Sequence, residues 1–273
     1  MSVDAGQPVL RLAGVSKRHR PRAGAEVHAL SDVTLSVQPG EFIAVVGPSG
    51  CGKSTLLRIA GGLAEPTSGE MTRNANHLGY VFQDPTLLPW RTLAGNVELS
   101  AELQGVKRVE RRRLAREALA RVGLADFAQH RPASLSGGMR MRASLARALT
   151  LRPDLFLLDE PFGALDEITR ARLNDELQAL HVAEGFAAVL VTHAVSEAVY
   201  LSRRVLVMSE RPGRLLADVR IPFDYPRAPE IRFASEFVEL TREISAHLGQ
   251  TAQPEAAVGA EGNSRGEEPV CAG

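Results

Sequence analysis

FIAVVGPSGCGKST, residues 42–55, joins a short apolar run to a glycine-rich turn. The run at 42–46 has the length and continuous hydrophobicity of a strand buried in a parallel sheet. Residues 47–55 match the pattern G-x-x-x-x-G-K-[ST], which is typical of a phosphate-binding loop between such a strand and a following helix. The sequence therefore predicts a strand, a phosphate-binding loop and a helix from about Lys53 to Gly61.

Every residue of this loop is a candidate binding position, and the set is Gly47, Pro48, Ser49, Gly50, Cys51, Gly52, Lys53, Ser54 and Thr55. The glycines allow backbone N–H groups to turn towards a phosphate, and the helix N-terminus adds partial positive charge. In this pattern Lys53 contacts the β- and γ-phosphates, and the Ser54 hydroxyl is a ligand for Mg²⁺. A chance glycine-rich turn is the alternative, which the strand–loop–helix setting disfavours.

Two further apolar runs, at 155–158 and 188–191, end in polar residues. Asp159 and Glu160 follow the first run, and His193 follows the second. The carboxyl ends of parallel strands are where an open α/β sheet binds its ligand, so we expect these side chains near the loop. Asp159 suits a Mg²⁺ shell, Glu160 suits the attacking water, and His193 suits the γ-phosphate. The alternatives are carboxylates on a solvated loop and a structural histidine.

The order of these segments predicts an α/β fold with a parallel sheet. Residues 93–150 have mostly helical spacing, with an arginine-rich amphipathic stretch at 106–122 and a helix from Ser136 to about Leu149. Strand character returns at 205–221 around a Pro-Gly turn, and 233–248 is typical of a terminal helix. We expect a core of residues 1–84 and 151–220, a helical subdomain at 85–150, an extension at 221–249, and a disordered tail at 250–273.

Composition restricts the possible functions. The 273 residues are 44% hydrophobic and 23% charged, as in globular proteins, and 32 Lys plus Arg balance 32 Asp plus Glu, so no net field favours nucleic acid. The first residues lack signal-peptide features, and no window offers about 18 consecutive apolar residues, so we expect a cytoplasmic protein that is soluble when isolated. Cys51 and Cys271 form neither a disulfide framework nor a metal-binding spacing.

A second helix N-terminus is suited to an anion. Ser136 can cap the helix that follows it, while Gly137 and Gly138 leave the first N–H groups open. Since the chain's own nucleotide already has a loop, we expect this segment to contact the γ-phosphate of ATP in a second copy, which makes the protein a two-fold homodimer. An ordinary capped helix is the alternative reading of these residues.

These motifs in this order resemble the ABC (ATP-binding cassette) ATPase family over residues 9–220 or so. The corresponding segments are the Walker A loop at 47–55, the Q-loop at Gln83, the signature at 135–139, the Walker B strand at 155–160, the D-loop at 164–166 and the H-loop at His193. The resemblance implies a P-loop NTPase fold with a parallel-sheet core, an antiparallel β-subdomain and a helical insertion. It also implies ATP hydrolysis with ATP and Mg²⁺.

Residue roles carried over from the family extend the candidate site. Gln83 would contact Mg²⁺ and the water, Ser136 and Gly138 would bind the opposing nucleotide, and Asp166 would couple the two sites. His19 stands where the family usually has an adenine-stacking aromatic residue. The chain departs from the family at Met139 and Met141, where glutamine is usual.

Three stretches are similar to importer ATPases that serve nitrate, sulfonates and taurine, and they lie at 82–90, 159–166 and 192–198. The resemblance implies two integral-membrane permease subunits, an extracytoplasmic solute-binding protein and a position on the cytoplasmic face of the cell membrane. A soluble ABC ATPase without a transport role is the alternative. We expect Leu87, Leu88 and Trp90 to help dock a permease helix, with packing inside the helical insertion as the alternative.

The basic run at 108–116 could bind RNA or lipid headgroups. Leu114, Leu119 and Val122 give this segment one apolar side. We therefore expect the arginines to form the solvated face of an amphipathic helix.

Overall fold

A computed structural model describes residues 7–20 and 25–249 of the chain. The predicted tail at 250–273, including Cys271, lies outside these ranges. The strands are β1 (Leu10–His19), β2 (Val27–Val37), β3 (Phe42–Val46), β4 (Ser68–Arg73), β5 (Leu78–Val81), β6 (Leu155–Asp159), β7 (Ala187–Thr192), β8 (Arg204–Met208) and β9 (Leu215–Arg220). The α-helices are α1 (Lys53–Ala60), α2 (Leu93–Val97), α3 (Leu99–Leu103), α4 (Arg108–Arg121), α5 (Gly137–Leu149), α6 (Glu167–Glu184), α7 (Val195–Leu201) and α8 (Ser235–Gly249).

The six-stranded sheet has the order β5-β6-β7-β3-β8-β9. The first five of these strands pair in parallel, and β9 is antiparallel at the edge. Every residue of β3, β6 and β7 is buried, as expected for strands covered on both faces. The predicted parallel core is confirmed, and its central strands carry the candidate site at their carboxyl ends.

A second, antiparallel sheet has the order β2-β1-β4. Leu12 and Leu35 on this sheet share one hydrophobic core with Leu56 and Leu57 of α1 and with Ile43 of β3. The sheet is the expected antiparallel subdomain, and it covers the helix that follows the phosphate-binding loop.

The basic run occupies the surface of α4. Ala115, Ala118 and Leu119 are buried, while Arg113 lies outside between Glu110 and Glu117 and pairs with both. The helix begins at Arg108, two residues after the predicted start. The structure therefore places the charges on the outer face, as the amphipathic reading predicts.

The extension at 221–249 is held to α7 by a buried arginine. The Arg227 guanidinium is 4% exposed and donates to four carbonyl groups, those of Val199, Tyr200, Ser202 and Phe223, at 2.7–3.0 Å for their shortest bonds. Tyr200 donates its hydroxyl to the Arg227 carbonyl at 3.0 Å. Cations favour the C-terminal end of a helix, where carbonyl groups lack intrahelical partners, so Arg227 stabilises the end of α7.

His181 is an aromatic core residue. Its ring makes edge contacts with Phe42, Phe186 and Tyr225 at centroid distances of 5.2, 5.3 and 5.2 Å, and its Nδ1 has no hydrogen-bond partner in the described residues. Burial lowers the pKa of His181 to about 4. The imidazole is therefore neutral in the folded protein over the range in which an exposed histidine takes up a proton.

The low pKa of His181 predicts a stability that falls with acidification. Below about pH 6.5 the unfolded chain binds a proton at His181 while the folded chain does not, so the free energy of unfolding decreases as the pH approaches about 4. His181→Phe keeps an aromatic ring at this position but removes the titrating group. Between about pH 7 and pH 5 we expect the free energy of unfolding of the natural chain to fall by about 2 kcal/mol relative to that of His181→Phe. Urea unfolding at each pH measures the difference. His77→Gln is the control, because His77 is exposed, and parallel curves for His181→Phe and the natural chain would contradict the prediction.

Candidate nucleotide-binding site

The loop between β3 and α1 depends on close backbone packing. Gly52 has φ 113°, and a Cβ atom there would lie 2.6 Å from the Ala29 carbonyl oxygen. A larger residue would therefore displace the loop from β2. Cys51 is buried, which raises the pKa of its thiol, so the structure agrees with its reading as a small residue that fills the loop.

Lys53 is folded against the loop that precedes it. Its ammonium group is 5% exposed and donates to the carbonyls of Gly47 and Pro48 at 2.8 and 2.9 Å. The same Nζ lies 4.0 Å from Glu160 Oε1. A desolvated ammonium beside an N-terminal helix turn attracts an anion strongly, because little water screens it.

Ser54 and Asp159 meet across the sheet edge. The Ser54 hydroxyl donates to Asp159 Oδ1 at 2.9 Å. Burial raises the pKa of Asp159, while the hydrogen bond from Ser54 opposes the rise. A hydroxyl and a carboxylate oxygen are hard ligands that suit Mg²⁺, which commonly binds one or two carboxylates together with phosphates. No group of three or more His, Cys, Asp or Glu side chains able to hold a metal occurs in the described residues.

Glu160 and His193 are brought together at the ends of neighbouring strands. Glu160 has φ 44°, and its backbone N–H donates to the Val191 carbonyl at 2.9 Å. Its Oε2 atom lies 3.1 Å from His193 Nδ1, so imidazole and carboxylate share a hydrogen bond. A carboxylate held between a lysine and a histidine has a defined orientation, which is what a group that orients a water molecule requires.

A cleft of about 420 Å³ is lined by half of the predicted site residues. Asp159 and His193 are not in its lining, but they contact Ser54 and Glu160, which are. Its lining residues are His19, Val27, Ala29, Ser49, Gly50, Gly52, Lys53, Ser54, Thr55, Gln83, Glu160 and Arg211. Gln83 lies in the loop after β5, and His19 is the last residue of β1. The structure therefore brings the Q-loop glutamine and the predicted adenine-stacking histidine to the phosphate-binding loop.

The predicted second anion site lies elsewhere in the same chain. Ser136 caps α5 and accepts a hydrogen bond from the Met139 N–H at 3.3 Å. Gly138 packs so closely on α6 that a Cβ atom would lie 3.1 Å from Thr169 Cγ2. The lining of the 420 Å³ cleft does not include Ser136, Gly137 or Gly138. The serine–glycine segment and the phosphate-binding loop therefore do not form one pocket within a single chain.

Asp166 caps the next helix. Its carboxylate accepts a hydrogen bond from the Thr169 N–H at 2.9 Å, and this bond lowers the pKa of Asp166. A Cβ atom on Gly137 would lie 3.4 Å from Leu165, so the N-terminus of α5 packs against the segment that contains Asp166. The signature and D-loop segments thus form one surface.

Sequence reasoning missed Arg211. This residue lines the cleft and donates from Nη2 to the Gly50 carbonyl at 2.7 Å. The Pro-Gly turn that follows it predicts a bend between strands. That signal does not say which part of the fold the bend contacts.

A phosphate-binding loop after a central parallel strand, with an acidic pair after a neighbouring strand, defines a P-loop nucleoside triphosphatase. The chain belongs to the ABC transporter family, whose pattern it matches over residues 30–163. It therefore has the ATPase fold of that family and binds nucleotide. The predicted α/β P-loop NTPase fold and ATPase activity are confirmed.

Relatives with named functions place the chain in the expected subgroup. It is 41% identical over 244 residues to a taurine import ATP-binding protein of Rhizobium johnstonii, covering 84% of this chain and 92% of that protein. It is 43% identical over 228 residues to an aliphatic sulfonates import ATP-binding protein of Mesorhizobium japonicum, covering 81% and 83%. A nitrate import ATP-binding protein of Synechococcus elongatus is 43% identical over 239 residues, which are 83% of this chain and 36% of that protein.

A solved cassette has the same architecture. The post-hydrolysis dimer of the ATP-binding cassette MJ0796, bound to ADP and Pi, superposes with a TM-score of 0.69 and 33% identity. The match covers 79% of this chain and all of that one.

Proposed function

We propose that this chain is the ATP-hydrolysing subunit of an ABC importer and couples ATP binding and hydrolysis to uptake of a small solute, an anion such as nitrate, a sulfonate or taurine. One observation supports the ATPase part of this proposal. Glu160, which follows β6, lies 4.0 Å from Lys53 of the loop after β3 and 3.1 Å from His193 after β7. The importer part is supported by relatives that are named as taurine, sulfonate and nitrate import proteins.

In this proposal the predicted residues at the cleft have defined tasks. Lys53 and the loop amides bind the β- and γ-phosphates, Glu160 orients and deprotonates the attacking water, and His193 holds Glu160 and contacts the γ-phosphate. Gln83 lies beside them and senses the occupied site. His19 packs on the adenine from the end of β1.

Mg²⁺ fits the oxygen atoms of Ser54, Asp159 and Gln83. When bound, the ion neutralises charge on the phosphates. The Ser54–Asp159 hydrogen bond keeps the two oxygens together, and the raised pKa of Asp159 reflects a buried carboxyl group that a cation would stabilise in its charged form.

The working assembly we propose is a homodimer on two integral-membrane permease subunits, with an extracytoplasmic solute-binding protein in the full system. Ser136, Gly137 and Gly138 of one copy complete the nucleotide site of the other, and Asp166 links the two sites. None of the described helices has the length and apolar character needed to cross a lipid bilayer. In this proposal the chain works at the cytoplasmic face of the cell membrane and moves permease subunits.

The docking surface we propose lies after Gln83 and before α2. Trp90 is 68% exposed, whereas Leu87 packs against the core. The Asn96 side chain accepts a hydrogen bond from the Leu88 N–H at 2.6 Å and donates one to the Leu88 carbonyl at 3.1 Å, which holds the backbone of this segment. The predicted apolar group is therefore divided: Trp90 is available to a partner, and Leu87 packs inside. An exposed tryptophan on a rigid turn is a typical anchor of a protein interface.

Purification of the intact complex tests the importer function. We expect the chain to co-purify with a protein of several membrane spans and its ATPase activity to rise when the transported solute is supplied. A Trp90→Cys variant should crosslink to that partner, because the side chain is exposed at the docking surface. Leu216→Cys is the matched control, since Leu216 is 48% exposed on β9, at the opposite edge of the sheet from β5.

Either of two results would contradict this proposal. A fully active soluble dimer with no membrane partner would favour an ABC ATPase without a transport role. Absence of any Trp90 crosslink in an active complex would exclude the docking surface while leaving the ATPase function in place. Comparing nitrate, taurine and alkyl sulfonates as stimulating solutes identifies the solute.

A further inference from the structure

Arg211 is the cation of the nucleotide cleft that none of the functions above uses. It lies in the loop 209–214, which joins β8 to β9, and its side chain lines the cleft beside Gly50. We infer that Arg211 is a further nucleotide-binding residue, whose guanidinium binds the phosphate chain of ATP or ADP while bracing the phosphate-binding loop. The inference builds on the nucleotide site and does not depend on a transport role.

The loop 209–214 is fixed in place on two sides. Gly213 donates its N–H to the Ala29 carbonyl at 3.0 Å and accepts from the Ser31 N–H at 3.0 Å. A Cβ atom on Gly213 would lie 2.2 Å from the Cys51 carbonyl oxygen, so this turn packs directly on the phosphate-binding loop. The backbone that carries Arg211 is therefore held against both β2 and the nucleotide site.

The turn also has its own internal bonds. The Ser209 N–H donates to the Arg214 carbonyl at 2.9 Å, and the Ser209 hydroxyl oxygen accepts a hydrogen bond from the Arg214 N–H at 2.9 Å. These bonds close the loop on both sides of Arg211. A side chain on such a constrained turn loses less conformational entropy when it binds a ligand than one on a free loop.

The guanidinium keeps most of its donors available. Nε and Nη2 both donate to the Gly50 carbonyl, at 3.1 and 2.7 Å, which uses two of the five N–H groups of an arginine. No carboxylate within 4.0 Å pairs with Arg211 in the residues that the structure describes, whereas Arg113, Arg204 and Arg232 each have acidic partners. Three N–H groups are thus free to bind an anion.

The charge of the cleft favours a polyphosphate. Lys53 and Arg211 line it as cations, and Glu160, already in contact with Lys53 and His193, is the acidic residue in its lining. Asp159, which adjoins the cleft through Ser54, is the carboxylate assigned above to Mg²⁺. Two cations beside one carboxylate in the lining favour a ligand with several negative charges, and arginine presents a fork that matches phosphate oxygens. Adenosine alone offers no such charge.

The test measures dissociation constants of Arg211→Ala and Arg211→Lys for ATP, ADP and adenosine by calorimetry. We expect Arg211→Ala to weaken ATP and ADP binding roughly ten-fold and to leave adenosine binding unchanged, because one charge-assisted contact is lost. The ATP and ADP affinities of Arg211→Lys should lie between those of the natural chain and Arg211→Ala, since lysine keeps the charge but not the forked guanidinium. Arg214→Ala is the matched control: it changes an exposed arginine of the same turn that does not line the cleft.

Several results would overturn the inference. Unchanged ATP and ADP affinities in Arg211→Ala would show that the guanidinium does not contact phosphate. Equal weakening for ATP and adenosine would show that the substitution distorts the loop. A defect confined to dimer formation would assign Arg211 to a carboxylate of a second copy. Lys53→Ala, measured in parallel, shows whether ATP occupies the proposed site at all, so failure of the site and failure of the Arg211 contact are distinguishable.

Discussion

Glu160→Gln binds ATP with near-normal affinity but hydrolyses it at least about 100-fold more slowly, which is the loss expected when a general base is removed. Glutamine has the same shape as glutamate and can still contact His193 Nδ1, which lies 3.1 Å from Oε2 in the natural chain. It cannot accept a proton from water at neutral pH. Because the γ-phosphate then stays in place, the two copies should remain closed around ATP.

The measurements are steady-state ATPase activity, ATP affinity and the mass of the protein with and without ATP. Glu70→Gln is the matched control, because Glu70 is exposed on β4 and lies outside the cleft. Near-normal turnover of Glu160→Gln would refute the assigned role. Loss of ATP binding would instead show that the carboxylate is needed to hold Lys53, which lies 4.0 Å away.

The elements that the sequence predicts well are those with local signals. The strand at 42–46 and the helix from Lys53 were predicted because a continuous apolar run, a glycine-rich loop and a helix start occur together. The observed helix ends at Ala60, one residue before the predicted end. Asp159, Glu160 and His193 were predicted to lie near the loop because parallel strands end at one sheet edge, and the Glu160–His193 contact follows from that topology.

Elements with a diluted hydrophobic pattern were not assigned bounds from the sequence. Helix α6 buries Leu173 and Leu177, but Asn174, Gln178 and His181 are also buried on it, so polar residues interrupt the apolar stripe. Strand β4 is almost wholly exposed, and β1 contains register shifts that disturb its alternation. Arg211 was missed for a different reason: its position depends on the packing of Gly213 against Cys51, a contact between residues far apart in the chain.

The position of the signature segment predicts an all-or-none effect on ATP-dependent dimer formation. Ser136 and Gly138 lie at the N-terminus of α5, outside the cleft that contains Lys53. The capping bond from Met139 uses one N–H of the first turn, and the other open N–H groups can bind an anion supplied by another molecule. If that anion is the γ-phosphate of ATP bound to a second copy, a copy with a damaged loop can be complemented only by a partner whose own loop is intact, even when the signature of that partner is damaged.

Lys53→Ala and Ser136→Arg should each fail to dimerise with ATP when purified alone, because both shared sites of each homodimer are damaged. An equal mixture of the two variants should recover ATP-dependent dimers, since one site of the heterodimer combines the intact loop of the Ser136→Arg copy with the intact signature of the Lys53→Ala copy. A second mixture combines the chain that carries both substitutions with the chain that carries neither. This heterodimer has an intact site only if the loop and the signature of the same copy act together. Because the chain with Glu160→Gln alone already dimerises with ATP, the two chains of each mixture carry different tags and only heterodimers are counted, in a background of Glu160→Gln to prevent hydrolysis. ATP-dependent heterodimers in the first mixture alone require a nucleotide held between copies, and ATP-dependent heterodimers in the second mixture alone would place the whole site in one chain.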